Sequence, residues 1–310
     1  MKVFRYLIPL TIFFAACDDQ ITVELDEIES FVSIDAWLTN QPGRQVIRVQ
    51  QTQGYFENTF LESVQGAQVT VTDDEGTIFE FLENENGEYA WIPPTPTDSF
   101  GEIGRAYFLE VIVDGVTYSA ASAMNRVPEI DSVTFRFEEG NAFLEDSYFG
   151  EFWSRDPLGV GDTYWIKAYK NGVYLNKPDE INIAFDAGFS QGGVVDGLIF
   201  IQPIRDGVNE FEESEEDDGM IRSPYTFGDS LSVELHSISN DAFFFMQQVI
   251  DETNRPGGFG ELFANPLSNV STNISVSDPD VPVVGFFNVA AVNTLGRTLV
   301  DEDDVRIVED

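Results

Sequence analysis

From residue 30 to about residue 235, apolar and polar residues alternate with a period of two, and turn dipeptides cut the alternation at short intervals. A period of two matches a strand with one buried face, and a helix cannot use it. In "RAYFLEVIVDGVTYSA", Tyr107, Leu109, Val111 and Val113 share one face. Asp114-Gly115 supplies the positive φ values of a two-residue hairpin turn, and Val116, Tyr118 and Ala120 continue the return strand. "GAQVTVTDDEGTIFEFLENENGEYAWI" reads as three more strands, and "FVSIDAWL" and "RQVIRVQQT" flank the turn "TNQPG". Strands at this spacing predict an antiparallel sandwich of about seven strands over residues 31–127.

Pro128, in "NRVPEIDS", ends that set and predicts a second β-rich domain over 128–310. There Tyr164, Ile166 and Ala168 alternate with Trp165, Lys167 and Tyr169, and Asn171-Gly172 is the strongest hairpin signal in the chain. One segment departs from the pattern. "SNDAFFFMQQVIDETNRPGG" places Ala242, Phe245, Met246, Val249 and Ile250 on one helical face, with Ser239, Asn240 or Asp241 able to cap the start. It predicts a packed helix over about 240–254. The expected fold is therefore mainly β: two antiparallel sandwich-like domains, the second carrying one helix.

The amino terminus reads differently. Lys2 and Arg5 precede the apolar run "YLIPLTIFFAA", which ends in Ala15-Ala16 before Cys17, the only cysteine. This is the pattern of a bacterial export signal over residues 1–16. The run is shorter than the ~20 apolar residues that a spanning helix needs. Ala15-Ala16-Cys17 resembles a lipobox, which makes Cys17 the expected lipid carrier, followed by an acidic tether over 17–30. Two or three acyl chains give stable anchoring, where a single chain is marginal. Asp18 and Asp19 are the expected sorting signal. In enterobacterial lipoproteins an Asp after the Cys resembles an inner-membrane retention signal. In Bacteroidetes-type lipoproteins, acids at this place resemble a surface-export signal.

Loss of Lys2 and Arg5 with the signal takes the formal charge from −39 to −41. Such a field repels nucleic acid and anionic membrane surfaces. Hydrophobic residues make up 43% of the chain, which places it among globular rather than disordered proteins.

Three blocks carry a wider resemblance: "VSIDAWLTNQPGRQVIRVQQTQGYF", "VQGAQVTVTDDEGTIFEFLENENGEY" and "NPLSNVSTNISVSDPDVPVVGFF". With the lipobox and in this order, they resemble the Bacteroidetes lipoprotein family known as domain of unknown function 4249, over roughly residues 20–295. The resemblance implies export to the outer face of the outer membrane. It also implies a partner, a TonB-dependent transporter, which such lipoproteins accompany as uptake accessories. Its motifs are at the level of fold and carry no chemistry.

No catalytic constellation stands out. His236, the only histidine, shares a strand face with Ser232 and Glu234, which predicts a partly solvated position. No nucleophile elbow, phosphate loop or dinucleotide fingerprint accompanies it, so no cofactor and no metal are expected. "NEFEESEEDDGM", residues 209–220, reads as a solvated acidic loop without the ligand spacing of a calcium loop. Trp37 and Trp165 lie within strand patterns and read as core. Trp91, beside a proline loop, and Trp153, in "GEFWSRDPLG", are the candidates for stacking on a ligand. The expected function is a non-enzymatic binding module. The alternatives are a surface adhesin and a hydrolase with two carboxyls ~5–10 Å apart.

Overall fold

The computed structural model describes residues 30–54, 59–84, 87–140, 146–213, 220–255, 264, 266, 268–301 and 305–306. The chain is mainly β. Seven strands lie in the first part: β1 (Val32–Thr39), β2 (Gln45–Gln51), β3 (Gln68–Asp73), β4 (Ile78–Glu83), β5 (Glu88–Trp91), β6 (Ala106–Val113) and β7 (Val116–Ala123). Then come β8 (Ile130–Glu138), β9 (Ser147–Ser154), β10 (Thr163–Lys170), β11 (Val173–Tyr174), β12 (Asn182–Phe185) and the short helix α1 (Gln202–Asp206). The last part holds β13 (Phe211–Glu213), β14 (Met220–Arg222), β15 (Ser230–Ile238), helix α2 (Asn240–Thr253), β16 (Ser275–Val276), β17 (Val283–Thr298) and β18 (Val305–Arg306).

One mixed sheet of 13 strands runs β11-β10-β15-β17-β1-β2-β5-β4-β3-β6-β7-β16, with β12 also pairing β10. A second sheet, β18-β8-β9, has three strands. The long strand β17 joins the two ends of the chain. Its first half pairs parallel with β1, from Val32↔Val283 to Thr39↔Ala290. Its second half pairs antiparallel with β15, from Ser237↔Ala291 to Ser230↔Thr298. Gly285 stands opposite Ile34 with φ +105°, and a Cβ there would lie 2.0 Å from the Ile34 carbonyl oxygen. Only glycine permits that approach.

The run from β17 to β16 curls back on itself. Ser122 of β7 accepts the Val289 N–H at 3.1 Å, and the Asn273 side chain pairs with Phe287. Inside this curl lies the first core, including Ile34, Val49, Val71, Tyr89, Phe100, Tyr107 and Val111. Ile274, Phe287, Val289 and Ala291 reach it from the other end of the chain. A second core, around Phe135, Phe152, Tyr164, Phe200, Tyr225 and Leu235, lies beyond.

Helix α2 begins where capping predicts: Ser239 Oγ accepts the Ala242 N–H at 3.1 Å. Ala242 and Met246 are buried as the periodicity requires, and so is Phe243, which the periodicity omits. Phe243 meets Phe185 edge-on at 5.5 Å, because the helix packs on β12 as well as β10. Among the described residues no helix is long and apolar enough to cross a membrane.

Candidate functional site

Cys17, Asp18 and Asp19 lie outside the described residues, as do 214–219 of the acidic segment. That segment's flanks pair as the hairpin β13–β14. Trp91 closes β5, on the inward side with Tyr89, and its ring meets Phe79 and Phe100 edge-on at 5.6 and 5.7 Å. It also borders an open groove of about 570 Å³ whose wall includes Arg44, Ile78, Leu82 and Ile92. Trp153 lies on β9 in the other sheet, so the structure does not bring the two tryptophans together. The Trp153 indole N–H donates to Thr134 Oγ1 at 3.0 Å, and the Arg205 guanidinium covers its ring at 3.7 Å.

Beside Trp153 lies a carboxyl pair that the sequence reading did not find. Glu151, 2% exposed, lies 3.3 Å from Arg136 Nε, and Arg136 Nη2 donates to Asp206 Oδ2 at 3.1 Å. Burial, reinforced by a hydrogen bond to Asp206, raises the Glu151 pKa above the ordinary carboxyl value. Arg136, set between the two carboxyls, ties α1 to β9.

His236 is not solvated, contrary to its strand alternation; it is 4% exposed. Trp165 lies 6.3 Å from its ring, and Trp37 of β1, Phe286 of β17 and Phe245 of α2 continue the aromatic layer. Burial lowers the imidazole pKa to about 4. The neutral ring therefore meets Glu234 Oε2 through Nε2 at 2.9 Å, and Tyr169 OH donates to the same oxygen at 3.2 Å. The Lys167 ammonium sits 4.0 Å over the Trp165 ring, and its pKa too is lowered by burial.

A third arrangement is a pair of connectors, 155–162 between β9 and β10 and 186–201 between β12 and α1. Three aspartates staple them together. Asp186, at φ +49°, accepts the N–H groups of Gly161 and Asp162 at 2.7 and 3.1 Å. Asp196 accepts the Gly159 N–H at 2.8 Å. Asp156 accepts the Gly197 N–H at 3.0 Å and the Tyr164 hydroxyl at 2.7 Å. Arg126 adds a second clamp, donating to Asp162 at 2.6 Å and to the carbonyls of Pro157 and Gly159 at 3.2 and 3.1 Å. Asp156 and Asp186 are each 1% exposed, and burial raises the Asp156 pKa above its ordinary value, with Asp162 and Asp186 adding to the shift.

One oxygen from each of Asp156, Asp186 and Asp196 lies within 4.8 Å of the others, an all-oxygen set of the kind hard divalent cations accept. Backbone N–H groups and Tyr164 already occupy four of the six oxygens, so the triad is accounted for as a staple. On the stapled loops stand Leu158 (79% exposed), Val160 (74%) and Val194 (98%), with Phe189 and Leu198 about half exposed. The signal in the sequence was there: aspartates within two residues of Pro or Gly in "RDPLGVGD", "FDAGF" and "VVDGL", where the alternation lapses. A family model described as "Domain of unknown function (DUF4249)" matches residues 18–295. No curated protein matches the chain.

Proposed function

We propose, for a chain that belongs to the family of DUF4249 domains, a non-enzymatic accessory role: a lipoprotein tethered through Cys17 to the outer membrane, exposed at the cell surface and held beside a TonB-dependent transporter. The observation that carries the reading is where the tether would enter the fold. The described chain begins at Ser30, and two residues later it is β1, hydrogen-bonded on one side to β2 and on the other to β17. Phe31 is pinned before the strand starts: its N–H donates to Thr52 Oγ1 at 3.1 Å and its carbonyl accepts the Thr52 N–H at 2.9 Å. A pull on the anchor thus loads an internal strand with neighbours on both edges, a sound attachment for a permanently tethered module.

Anchoring confines the module to the membrane and raises the effective concentration of any partner there, so a weak contact suffices. The acidic surface keeps the module off anionic lipid. Cys17→Ser is expected to release the protein from the membrane fraction or leave its precursor uncleaved. Protease added to intact cells is expected to digest the wild-type protein. Survival of the protein, while a known surface lipoprotein is digested, contradicts the reading.

A further inference from the structure

We infer that the open edge of β4, at Ile78 and Glu80, is the docking surface of the module, and that its occupant is an extended segment of a partner protein, added there as a strand with apolar side chains on its outer face. The inference rests on the reading of the chain as an accessory that works by contact, and it names the contact.

The edge follows from the register. Opposed residues of an antiparallel pair alternate between bonded and unbonded. In the β3–β4 hairpin the Asp73 N–H donates to the Thr77 carbonyl at 3.0 Å. Val71↔Phe79 and Val69↔Phe81 are therefore the bonded pairs, and Ile78 and Glu80 turn their N–H and carbonyl groups away from β3. The other side gives the same phase: the Asn84 N–H donates to the Glu88 carbonyl at 2.8 Å, and Leu82↔Ala90 is the next bonded pair. There the β4–β5 ladder stops. β5 stays on β2 through Trp91↔Gln45, while β4 stays on β3 as far as Ile78↔Thr72. The groove of about 570 Å³ opens between the parting strands, lined by Ile78, Glu80, Leu82, Ala90 and Ile92. Behind it the rings of Phe79, Trp91 and Phe100 pack on one another.

Backbone chemistry selects the occupant. The free donors and acceptors of Ile78 and Glu80 recur at every second residue, ~7 Å apart, which is the repeat another strand matches. Open edges are ordinarily blunted by lysine or proline. β4 holds neither, and Ile78 and Leu82 stand exposed along the free edge with Ile92 exposed across the groove. Apolar side chains on an added strand would lie beside them as cross-strand neighbours. Charge makes no selection here. Arg44 pairs with Glu88, Glu83 accepts the Gly66 N–H at 2.8 Å, and Glu80 shares the outward face of Ile78 and Leu82. A second copy is a poor strand donor, because the strands that end its large sheet, β11 and β16, have two residues each.

The test places a photo-crosslinking residue at Leu82 in the full-length lipoprotein in its own cells, with a control at Val194, exposed in the other half of the fold. An adduct at position 82 that maps to one short segment of one membrane protein is the expected result. Combining the probe with Glu80→Pro should lower that adduct by about tenfold, since the proline removes a donor and leaves the partner's acceptor unpaired. Glu80→Ala, which changes only the side chain, should leave it unaltered. The N–H removed faces no strand of the fold, so Glu80→Pro should melt near the wild-type temperature. Ile78→Pro repeats the block at the first residue of β4, where proline is best tolerated. In the purified protein the amides of Ile78 and Glu80 should exchange fast and those of Phe79 and Phe81 slowly; slow exchange at Ile78 and Glu80 overturns the open edge, whatever the proline variants do. An adduct that both prolines spare, or that Glu80→Ala lowers as far, overturns strand pairing and leaves the accessory role standing. Adducts with lipid, with glycan or with a second copy overturn the choice of occupant. Adducts from 194 but not 82 overturn the docking edge alone, and adducts from neither overturn both.

Discussion

The side-chain amide of Asn273 takes the place of a neighbouring strand for Phe287: its nitrogen donates to the Phe287 carbonyl at 2.7 Å, and its oxygen accepts the Phe287 N–H at 3.0 Å. Phe287 lies in the half of β17 that pairs with β1 on one edge and has not yet met β15 on the other. Asn273 and Ser122 thus close the curl around the first core, which otherwise would leave buried backbone groups without partners.

Asn273→Ala is expected to cost about 2–6 kcal/mol, since it orphans one N–H and one carbonyl at ~1–3 kcal/mol each. Asn273→Asp should cost at least as much, because a carboxylate keeps the acceptor but sets its charge against the Phe287 carbonyl. Urea midpoints of the two variants check this. A shift within ~0.5 kcal/mol of wild type for Asn273→Ala would show that water replaces the amide.

Much of the fold was legible because its signals are local. Tyr107, Leu109, Val111 and Val113 are all buried on one face, as their alternation requires. The hairpin turns take positive φ at Asp114 and Gly115 and again at Asn171 and Gly172. What was not legible depends on distant parts of the chain. "VPVVGFFNVAAVNTLGRT" is nearly unbroken in apolar character through its middle, so it does not announce that its partner changes from β1 to β15 near Ala290. His236 looked solvated because Ser232 and Glu234 share its face. The cover over it comes from Trp165 of β10, backed by Trp37 of β1, which no alternation along β15 can reveal. The staple of Asp156, Asp186 and Asp196 joins segments some 24 to 41 residues apart, so its aspartates look like ordinary turn residues. Trp153 read as a surface ring because the sequence gives no hint of Arg205 above it.

Glu151 sets a dependence on alkali. Its folded pKa lies above the ordinary value of 4.5. Above that value the unfolded chain has lost this proton while the folded chain still holds it, so stability falls as pH rises until the folded group ionises. Glu151→Gln keeps a donor towards Asp206 and an acceptor towards Arg136 without the titration. It is expected to match wild type near pH 4.5 and to gain on it as pH rises, until the folded Glu151 ionises, read as melting temperature against pH. Glu151→Ala should be less stable at every pH. Parallel curves for wild type and Glu151→Gln would sink the raised Glu151 pKa.

His236 sets the opposite dependence on acid. Its folded pKa, about 4, lies below the ordinary 6.5, so between those values the unfolded chain binds a proton that the folded chain refuses. Its contribution is fully present above pH 6.5 and is lost as pH falls towards 4; the gap corresponds to roughly 3 kcal/mol. His236→Gln, which can still donate to Glu234, should flatten stability against pH in that window. The imidazole proton resonances of the wild type should show no titration above pH 5. A midpoint near 6.5 would mean that the ring is open to solvent.

The central claim is the tethered, partner-bound state at the cell surface. Its most direct measurement is affinity purification of the full-length lipoprotein from outer membranes in mild detergent, with identification of co-purifying membrane proteins against a Cys17→Ser control. The account predicts a single TonB-dependent β-barrel in near-equal amount with the wild type, strongly reduced with the unlipidated control. Recovery of the lipoprotein alone, under conditions that keep another lipoprotein–transporter pair together, would contradict it and favour a free-standing surface adhesin.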